Sequence, residues 1–340
     1  MEIKPRMNPL NKISIIILIF LLLLVSCERA AIPISQLAPI QTQTSSPTTT
    51  LTPTATLTPT TTPLPNFDPI EYRKSNVLYC KMDGEELLAD IYTPPHVQKP
   101  APLLIYIHGG GLQHGDKRSG SGIVELPALF NAGFVIAAIN YRLAPEYPMP
   151  AMVEDSKCAV RFFRANAKRF NIDPNRIGVW GSSAGGYLVA MLGTSEETTQ
   201  FDVGEYLGTS SRVQAVVDMF GPTDFVTMSL EADSKKHLEF NDLVFNTNDT
   251  SDPIFAQSSA VTYVSPDDPP FLIVHGDLDK DIPLSQSQEL YDRLNAAGVD
   301  VQLVVVAGGG HGLRNAGEVP SEEEITRLIV DFFIKELWPK

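Results

Sequence analysis

One short stretch of the chain, residues 176–192, constrains the fold more than any other. It reads RIGVWGSSAGGYLVAML, in which an apolar run of strand type passes through a glycine-rich turn into an apolar run of helical type. Only glycines let a strand and the helix after it approach so closely. The residue at the centre, Ser183, is therefore expected to have a strained backbone that pushes its hydroxyl out of the sheet. The amide of Ala184 would point towards the same space, at the positive end of the helix dipole.

Residues 181–185 of this turn fit the pattern G-x-S-x-G, which presents a serine nucleophile between a strand and a helix. Because glycine and serine are common, the pattern alone is not specific. A second motif makes it so, since the apolar run at residues 103–107 leads into His108 and three glycines. A glycine run of this type offers backbone amides to an oxyanion. The candidate donors are Gly109, Gly110, Gly111 and Ala184, and His108 is expected to be structural.

Strand-like and helix-like patterns alternate along the chain from residue 77. This alternation predicts an α/β fold with a doubly wound, mostly parallel sheet of eight strands. Strands are predicted at residues 77–80, 87–92, 103–107, 134–139, 177–180, 213–218, 271–275 and 301–306. Helices are predicted at residues 153–170, 186–192, 285–297 and 322–337. The long connection between the sixth and seventh strands is expected to contain a small cap at about residues 225–263, near the site.

A serine nucleophile needs a base and an acid, and after a turn of this kind the acid precedes the histidine. Of the six histidines, only His311 follows an acid at a strand end, so His311 is the candidate base. Asp277, Asp279 and Asp281 all lie in the loop where the acid belongs. Their D-x-D-x-D spacing does not indicate calcium, because the later positions of a calcium loop need glycine and glutamate where the chain has Ile282 and Gln288. No metal site is predicted.

Six motifs together give a resemblance to a known family. They are HGGG at 108–111, GDK at 115–117, NYRLAP at 140–145, GSSAGG at 181–186, HGDLD at 275–279 and GGGHG at 308–312. Across about residues 77–337 the chain resembles the α/β-hydrolase superfamily. Within it the motifs are similar to the bacterial esterase/lipase group, which includes hormone-sensitive-lipase-like esterases and acetylxylan or feruloyl esterases. The resemblance selects Asp279 as the acid, with Asp277 next.

The resemblance implies a carboxylic ester hydrolase that needs no cofactor or metal. The expected reaction is cleavage of short-chain or polysaccharide-linked acyl esters through an acyl-enzyme on Ser183. A serine peptidase and an amide hydrolase such as a formamidase are the enzymatic alternatives. A non-catalytic surface lipoprotein that binds solutes is the alternative from another class. The substrate is therefore expected to be a small-molecule or polysaccharide ester, and the oligomeric state is left open.

The first 65 residues have the composition of a leader and a tether. Residues 1–26 combine a basic start with an apolar run at 13–25 that is too short to span a bilayer, which predicts a signal peptide. Its end, LVSC, resembles a bacterial lipoprotein signal in which Cys27 is lipidated. Residues 27–65 are rich in threonine and proline and predict a disordered tether, followed by the catalytic domain at 66–340. The expected location is extracytoplasmic, with the chain anchored to the cell envelope through Cys27.

The charge and the cysteines exclude other classes. A net charge of −14 argues against nucleic acid as a partner, because such proteins need a basic surface. The three cysteines include no C-x-x-C pair, which argues against a zinc knuckle or a dithiol redox centre. Cys80 and Cys158 lie in apolar runs, so we expect two free buried thiols. A disulfide between them is the alternative in an oxidising compartment.

Overall fold

The computed structural model describes residues 66–338 except 96, 98–99, 197, 232–234 and 314–316. The predicted signal peptide, the lipidation site at Cys27 and the tether lie outside the described residues. Within the described residues, no helix has the length and the hydropathy needed to cross a membrane.

The core of the protein is one sheet of eight strands in the order β1-β2-β4-β3-β5-β6-β7-β8. The first two strands form an antiparallel hairpin around Asp83 and Gly84, and β2 also pairs antiparallel with β4. All other neighbours are parallel, which confirms the predicted doubly wound, mostly parallel sheet. The strands are β1 (Arg73–Met82), β2 (Glu85–Tyr92), β3 (Ala101–Ile107), β4 (Val135–Ile139), β5 (Ile172–Ser182), β6 (Ala215–Met219), β7 (Phe271–Gly276) and β8 (Val301–Val306).

Helices cover both faces of the sheet. They are α1 (Leu126–Asn131), α2 (Ala151–Ala165), α3 (Ala167–Phe170), α4 (Ala184–Thr194), α5 (Phe225–Glu231), α6 (Lys235–Phe245), α7 (Pro253–Gln257), α8 (Leu284–Ala297) and α9 (Glu322–Leu337). Every residue of β3 and β4 is buried, as expected for strands covered on both sides. Successive residues of β5 face opposite layers, so Val179 packs in one apolar core and Trp180 in the other.

The helix predicted at residues 153–170 is two helices, α2 and α3, separated at Asn166. The side chain of Asn166 donates to the carbonyl of Phe162 at 2.9 Å, and its backbone leaves the helical region at φ −105° and ψ 20°. Asparagine binds nearby backbone groups in this way and so favours helix ends over helix interiors. The apolar spacing continues across the break, which is why the sequence suggests one element.

Cys80 and Cys158 form a disulfide between β1 and α2, with Cα atoms 6.5 Å apart. The expectation of two free buried thiols is therefore wrong. Both side chains are almost completely buried in the same apolar core, and α2 packs directly on β1. Burial in an apolar run is equally compatible with a free thiol and with a cross-link. Only the packing of α2 on β1 brings the two sulfurs together.

In its described part, the connection between β6 and β7 contains three α-helices, α5, α6 and α7. Aromatic side chains hold this segment together, since Phe245 packs edge-on against Phe225 and lies 4.8 Å from the ring of Phe255. Tyr187 of α4 contacts Phe225 at 4.9 Å between ring centroids. Through this contact α5 is fixed to the helix that follows the glycine-rich turn.

Candidate active site

The turn between β5 and α4 has the strained geometry that its sequence predicts. Ser183 adopts φ 56° and ψ −122°, a conformation that L-residues rarely occupy. Gly185 follows in the first turn of α4, where an added Cβ would overlap the carbonyl oxygen of Ile107 in β3. The turn can therefore pack against β3 only if this position is glycine. The strain persists because the strands and the helix packed around the turn prevent its backbone from relaxing to another conformation.

Ser183, His311 and Asp279 form one hydrogen-bonded chain. The Nε2 atom of His311 lies 3.0 Å from Oγ of Ser183, and its Nδ1 atom lies 2.8 Å from Oδ2 of Asp279. In the matching tautomer, the serine hydroxyl donates to Nε2 and the Nδ1 proton is donated to the carboxylate. The three side chains come from loops after β5, β7 and β8, which the parallel sheet brings to one edge. The arrangement can transfer the serine proton to the imidazole.

The other two acids of the β7 loop have different partners. Asp277 accepts a hydrogen bond from the backbone amide of Gly308 at 2.7 Å, which links the acid loop to the histidine loop. Asp281 lies 2.6 Å from the ammonium group of Lys236 on α6. Of the three candidates that the sequence leaves open, Asp279 is the one in contact with His311.

The carboxylate of Asp279 is held in its ionised form. Burial opposes ionisation, but hydrogen bonds from His275, His311 and the amide of Ile282 outweigh burial and keep the pKa of Asp279 well below its usual range. The backbone amides of Asp281 and Ile282 both donate to Oδ1 at 2.9 Å. A fixed negative charge at this position favours the imidazolium form of His311.

His275 is a site residue that sequence reasoning did not assign. Its side chain is completely buried at the end of β7. The Nε2 proton is donated to the carbonyl of Ile282 at 3.0 Å and faces Oδ2 of Asp279 at 3.5 Å, while the hydroxyl of Ser287 donates to Nδ1 at 2.7 Å. His275 thus fixes both ends of the loop that carries Asp279. The HGDLD motif could have indicated this role, because it places a histidine four residues before the acid.

The glycine run after β3 packs against the serine turn. A Cβ on Gly109 would lie 2.8 Å from the carbonyl oxygen of Ser182, and Gly110 and Gly111 have φ values of 122° and 61°. All three glycines and Ala184 line the same cavity as Ser183. The four predicted oxyanion donors and the serine hydroxyl therefore belong to one cavity.

His108 at the start of this run has a structural role, as its position predicts. It is buried, its Nδ1 proton is donated to the carbonyl of Gly109 at 2.7 Å, and its ring stacks on Tyr141 at 4.3 Å. Burial lowers the pKa of His108, so the ring is neutral. The stacked pair fixes the direction in which the glycine run leaves the sheet.

A cavity of about 660 Å³ opens above Ser183, a volume within the usual range for small-molecule sites. Its apolar lining residues are Leu112, Tyr187, Phe225, Met228, Phe240 and Ile282. Three of these residues belong to the segment at 225–263. The described residues contain no cluster of histidine, cysteine and carboxylate side chains that could hold a metal ion.

The chain is similar to several proteins of known family. The BD-FAE family model matches residues 89–294. Esterase LipC of Mycobacterium tuberculosis is 35% identical over 217 residues, which are 63% of this chain and 53% of that protein. The chain thus spans about half the length of the curated relatives that it matches.

Two solved structures show the same fold. A truncated carbohydrate esterase from gut microbiota is 32% identical and superposes with a TM-score of 0.64, covering 77% of this chain and 95% of that one. A thermophilic esterase of Thermogutta terrifontis, 22% identical, superposes with a TM-score of 0.66 and covers 80% of this chain and 97% of its own. At that identity the second structure supports the fold alone.

Proposed function

Because the chain belongs to the BD-FAE family and has an α/β-hydrolase fold, we propose that it is a serine carboxylic ester hydrolase. The observation that carries the proposal is the hydrogen-bonded chain from Ser183 through His311 to Asp279. Its serine lines a cavity together with the glycine run and several apolar side chains. These are the parts that acyl transfer requires.

In the first step Oγ of Ser183 attacks the carbonyl carbon of the ester. Nε2 of His311 takes the serine proton as the new C–O bond forms. Asp279 accepts the Nδ1 proton in a hydrogen bond, so the ring keeps the tautomer whose Nε2 can act as a base. Once the ring is protonated, the nearby carboxylate stabilises its positive charge.

The negative charge that develops on the carbonyl oxygen needs donors already in place. The amide of Ala184 stands at the positive end of α4, and the residues of the glycine run line the same cavity. One donor of this type contributes about 3 kcal/mol to stabilisation of the transition state. Glycine suits these positions because no side chain stands between its N–H group and the substrate.

Collapse of the tetrahedral intermediate breaks the bond to the alcohol. The Nε2 proton of His311 passes to the leaving oxygen, and the acyl group remains on Ser183. Water then enters, gives its proton to His311 and attacks the acyl carbon in the same way. The products are a carboxylic acid and an alcohol, and the serine proton returns at the end.

The substrate is proposed to be a short-chain or polysaccharide-linked acyl ester. The relative named as a carbohydrate esterase supports this proposal, because it covers most of this chain at 32% identity. The segment at 225–263 is proposed to act as a cap that sets the shape of the substrate. Phe225 and Met228 of α5 and Phe240 of α6 support it, since all three line the cavity.

We further propose that the chain works outside the cytoplasm, anchored through a lipidated Cys27. The sequence of the first 65 residues is the basis for the anchor. The disulfide between Cys80 and Cys158 supports the location, because such bonds persist in oxidising compartments. In this arrangement residues 27–65 would hold the catalytic domain away from the membrane surface.

The test is the loss of ester turnover on removal of the serine hydroxyl. Ser183→Ala is expected to lower kcat/KM for para-nitrophenyl acetate by at least about 10⁴-fold, because nucleophile and base act as a unit. Ser285→Ala, an exposed serine at the start of α8, is the matched control and should retain the parent rate. Circular dichroism would verify that both variants are folded.

A second measurement separates the esterase from its alternatives. A fluorophosphonate probe is expected to label Ser183 in the parent chain, and labelling should disappear in His311→Ala. Matched ester and amide substrates then distinguish an ester hydrolase from a peptidase or amide hydrolase. If Ser183→Ala retains turnover within tenfold of the parent, the proposed mechanism is wrong.

A further inference from the structure

The charged side chains that line the cavity carry an excess of positive charge. Lys236 and Lys280 both line the cavity, and Asp281 is the one carboxylate among the described lining residues. We call these three residues the lysine rim. The chain as a whole has 40 acidic and 26 basic residues, so the rim has the opposite balance to the rest of the sequence.

The charges of the rim do not cancel. Lys236 is paired with Asp281 at 2.6 Å, and both side chains are at least half exposed. Lys280 is exposed, and none of the described carboxylates lies within 4.0 Å of its ammonium group as an ion pair. Among the side chains that line the cavity, two ammonium groups and one carboxylate leave one net positive charge.

The histidine beside the rim does not change this sum at neutral pH. His237 also lines the cavity, next to Lys236. Burial, and then the charge of Lys236, lower the pKa of His237 below its usual value. Its ring is therefore neutral near pH 7, and the lysines supply the positive charge. A ligand that benefits from this charge must be anionic.

The position of Lys280 indicates which part of an ester the charge would meet. Lys280 lines the cavity and directly follows Asp279, the acid bound to His311, so it lies in the loop that contacts the base. The leaving oxygen must come within reach of Nε2 of His311 to receive its proton. The alcohol part of the ester therefore lies near His311 and the acid loop that carries Lys280.

From this arrangement we propose that the lysine rim binds a carboxylate on the alcohol part of the substrate. The preferred substrates are then acyl esters of acidic alcohols, such as a hydroxy acid or a sugar that bears a carboxylate. This inference rests on the proposed esterase function and adds the charge of its substrate. The positive rim raises the local concentration of such anions within an otherwise acidic protein.

The test compares two esters that differ in charge and not in shape. Para-acetoxybenzoate has a carboxylate where para-acetoxybenzamide has a neutral amide, and the acyl group is the same. For each form of the 340-residue chain, the measured quantity is the ratio of kcat/KM for the charged ester to that for the neutral one. Differences in intrinsic reactivity cancel when this ratio is compared between variants.

Variants of opposite charge should move the ratio in opposite directions. Lys280→Gln is expected to lower it roughly fivefold and Asp281→Asn to raise it by a similar factor, the effect of one unit charge at a few ångströms in a largely hydrated site. The change should appear in KM rather than kcat, because the interaction is made equally in the ground state and the transition state. Lys168→Gln, an exposed lysine on α3, is the matched control and should leave the ratio unchanged.

Ionic strength gives an independent readout. The ratio for the parent chain should fall as salt rises from about 0.01 M to about 1 M, while the ratio for Lys280→Gln should change less. If Lys280→Gln and Asp281→Asn both leave the ratio within twofold of the parent, the inference is wrong although the esterase proposal stands. If no form hydrolyses either ester, the esterase proposal is wrong, and this inference, which depends on it, is wrong as well.

Discussion

Removal of the disulfide between Cys80 and Cys158 should destabilise the catalytic domain by an amount that follows from its position in the chain. The bond joins residues 78 apart in sequence. Closing a loop of this length restricts the unfolded chain, and the chain-entropy relation gives about 4.5 kcal/mol at 25 °C. Measured values commonly lie below this figure, so we expect a loss of about 3–4 kcal/mol in the free energy of unfolding.

The assay is urea unfolding followed by tryptophan fluorescence, since Trp180 is completely buried. The parent chain is measured with and without dithiothreitol and compared with Cys80→Ala/Cys158→Ala. Reductant should lower the unfolding midpoint of the parent and leave that of the double variant unchanged. Cys27 is present in both forms, so an effect of reductant on it would appear in both.

The melting temperature gives the same comparison on another scale. For a domain of this size, the expected loss corresponds to a decrease of about 10 °C. A shift of less than 1 kcal/mol or so on reduction would refute the chain-entropy reasoning for this bond. Reaction of both cysteines with a thiol reagent in the unfolded, unreduced parent would show that the bond is absent.

Two further predictions concern the site. Gly185→Ala should abolish turnover and lower the yield of folded protein, because the new Cβ would overlap the carbonyl of Ile107, whereas Gly208→Ala, with open space around it, should do neither. Because folding lowers the pKa of Asp279, its ionised carboxylate stabilises the folded state above about pH 4. This stabilisation is lost as the pH falls through the pKa that Asp279 has in the folded protein. Acid titration by circular dichroism should therefore show a steeper loss in the parent than in Asp279→Asn, and equal slopes would contradict the assignment.

Segments whose structure is decided locally could be predicted from the sequence. The last strand and the last helix have the predicted bounds, at Val301–Val306 and Glu322–Leu337. In α9 an apolar stripe repeats with helical period and a Ser321–Glu324 capping box marks its start. The turn at Ser183 belongs to the same class, since the glycines that it needs lie within five residues of sequence. In each of these elements, the residues that determine the structure lie within the element itself.

Contacts between distant segments could not be predicted in this way. The pairing of Cys80 with Cys158 depends on how α2 packs on β1. The apolar runs around the two cysteines do not indicate that these elements pack together. The contact of Lys236 with Asp281 joins residues from α6 and the acid loop that are 45 apart in sequence. Hydrophobic periodicity gives the face of an element that is buried, but not the element against which it packs.

The candidate catalytic residues differ from Lys236 of the lysine rim in what holds them in place. Ser183, Asp279 and His311 follow β5, β7 and β8, whose parallel pairing brings the ends of the strands to one edge of the sheet. Lys236 stands instead on α6, in the segment between β6 and β7. Changes in that segment can alter the charge of the cavity while the sheet keeps the catalytic distances. Catalysis and charge preference should therefore separate experimentally, with Ser183→Ala removing turnover of both test esters and Lys236→Gln lowering the ratio of charged to neutral ester.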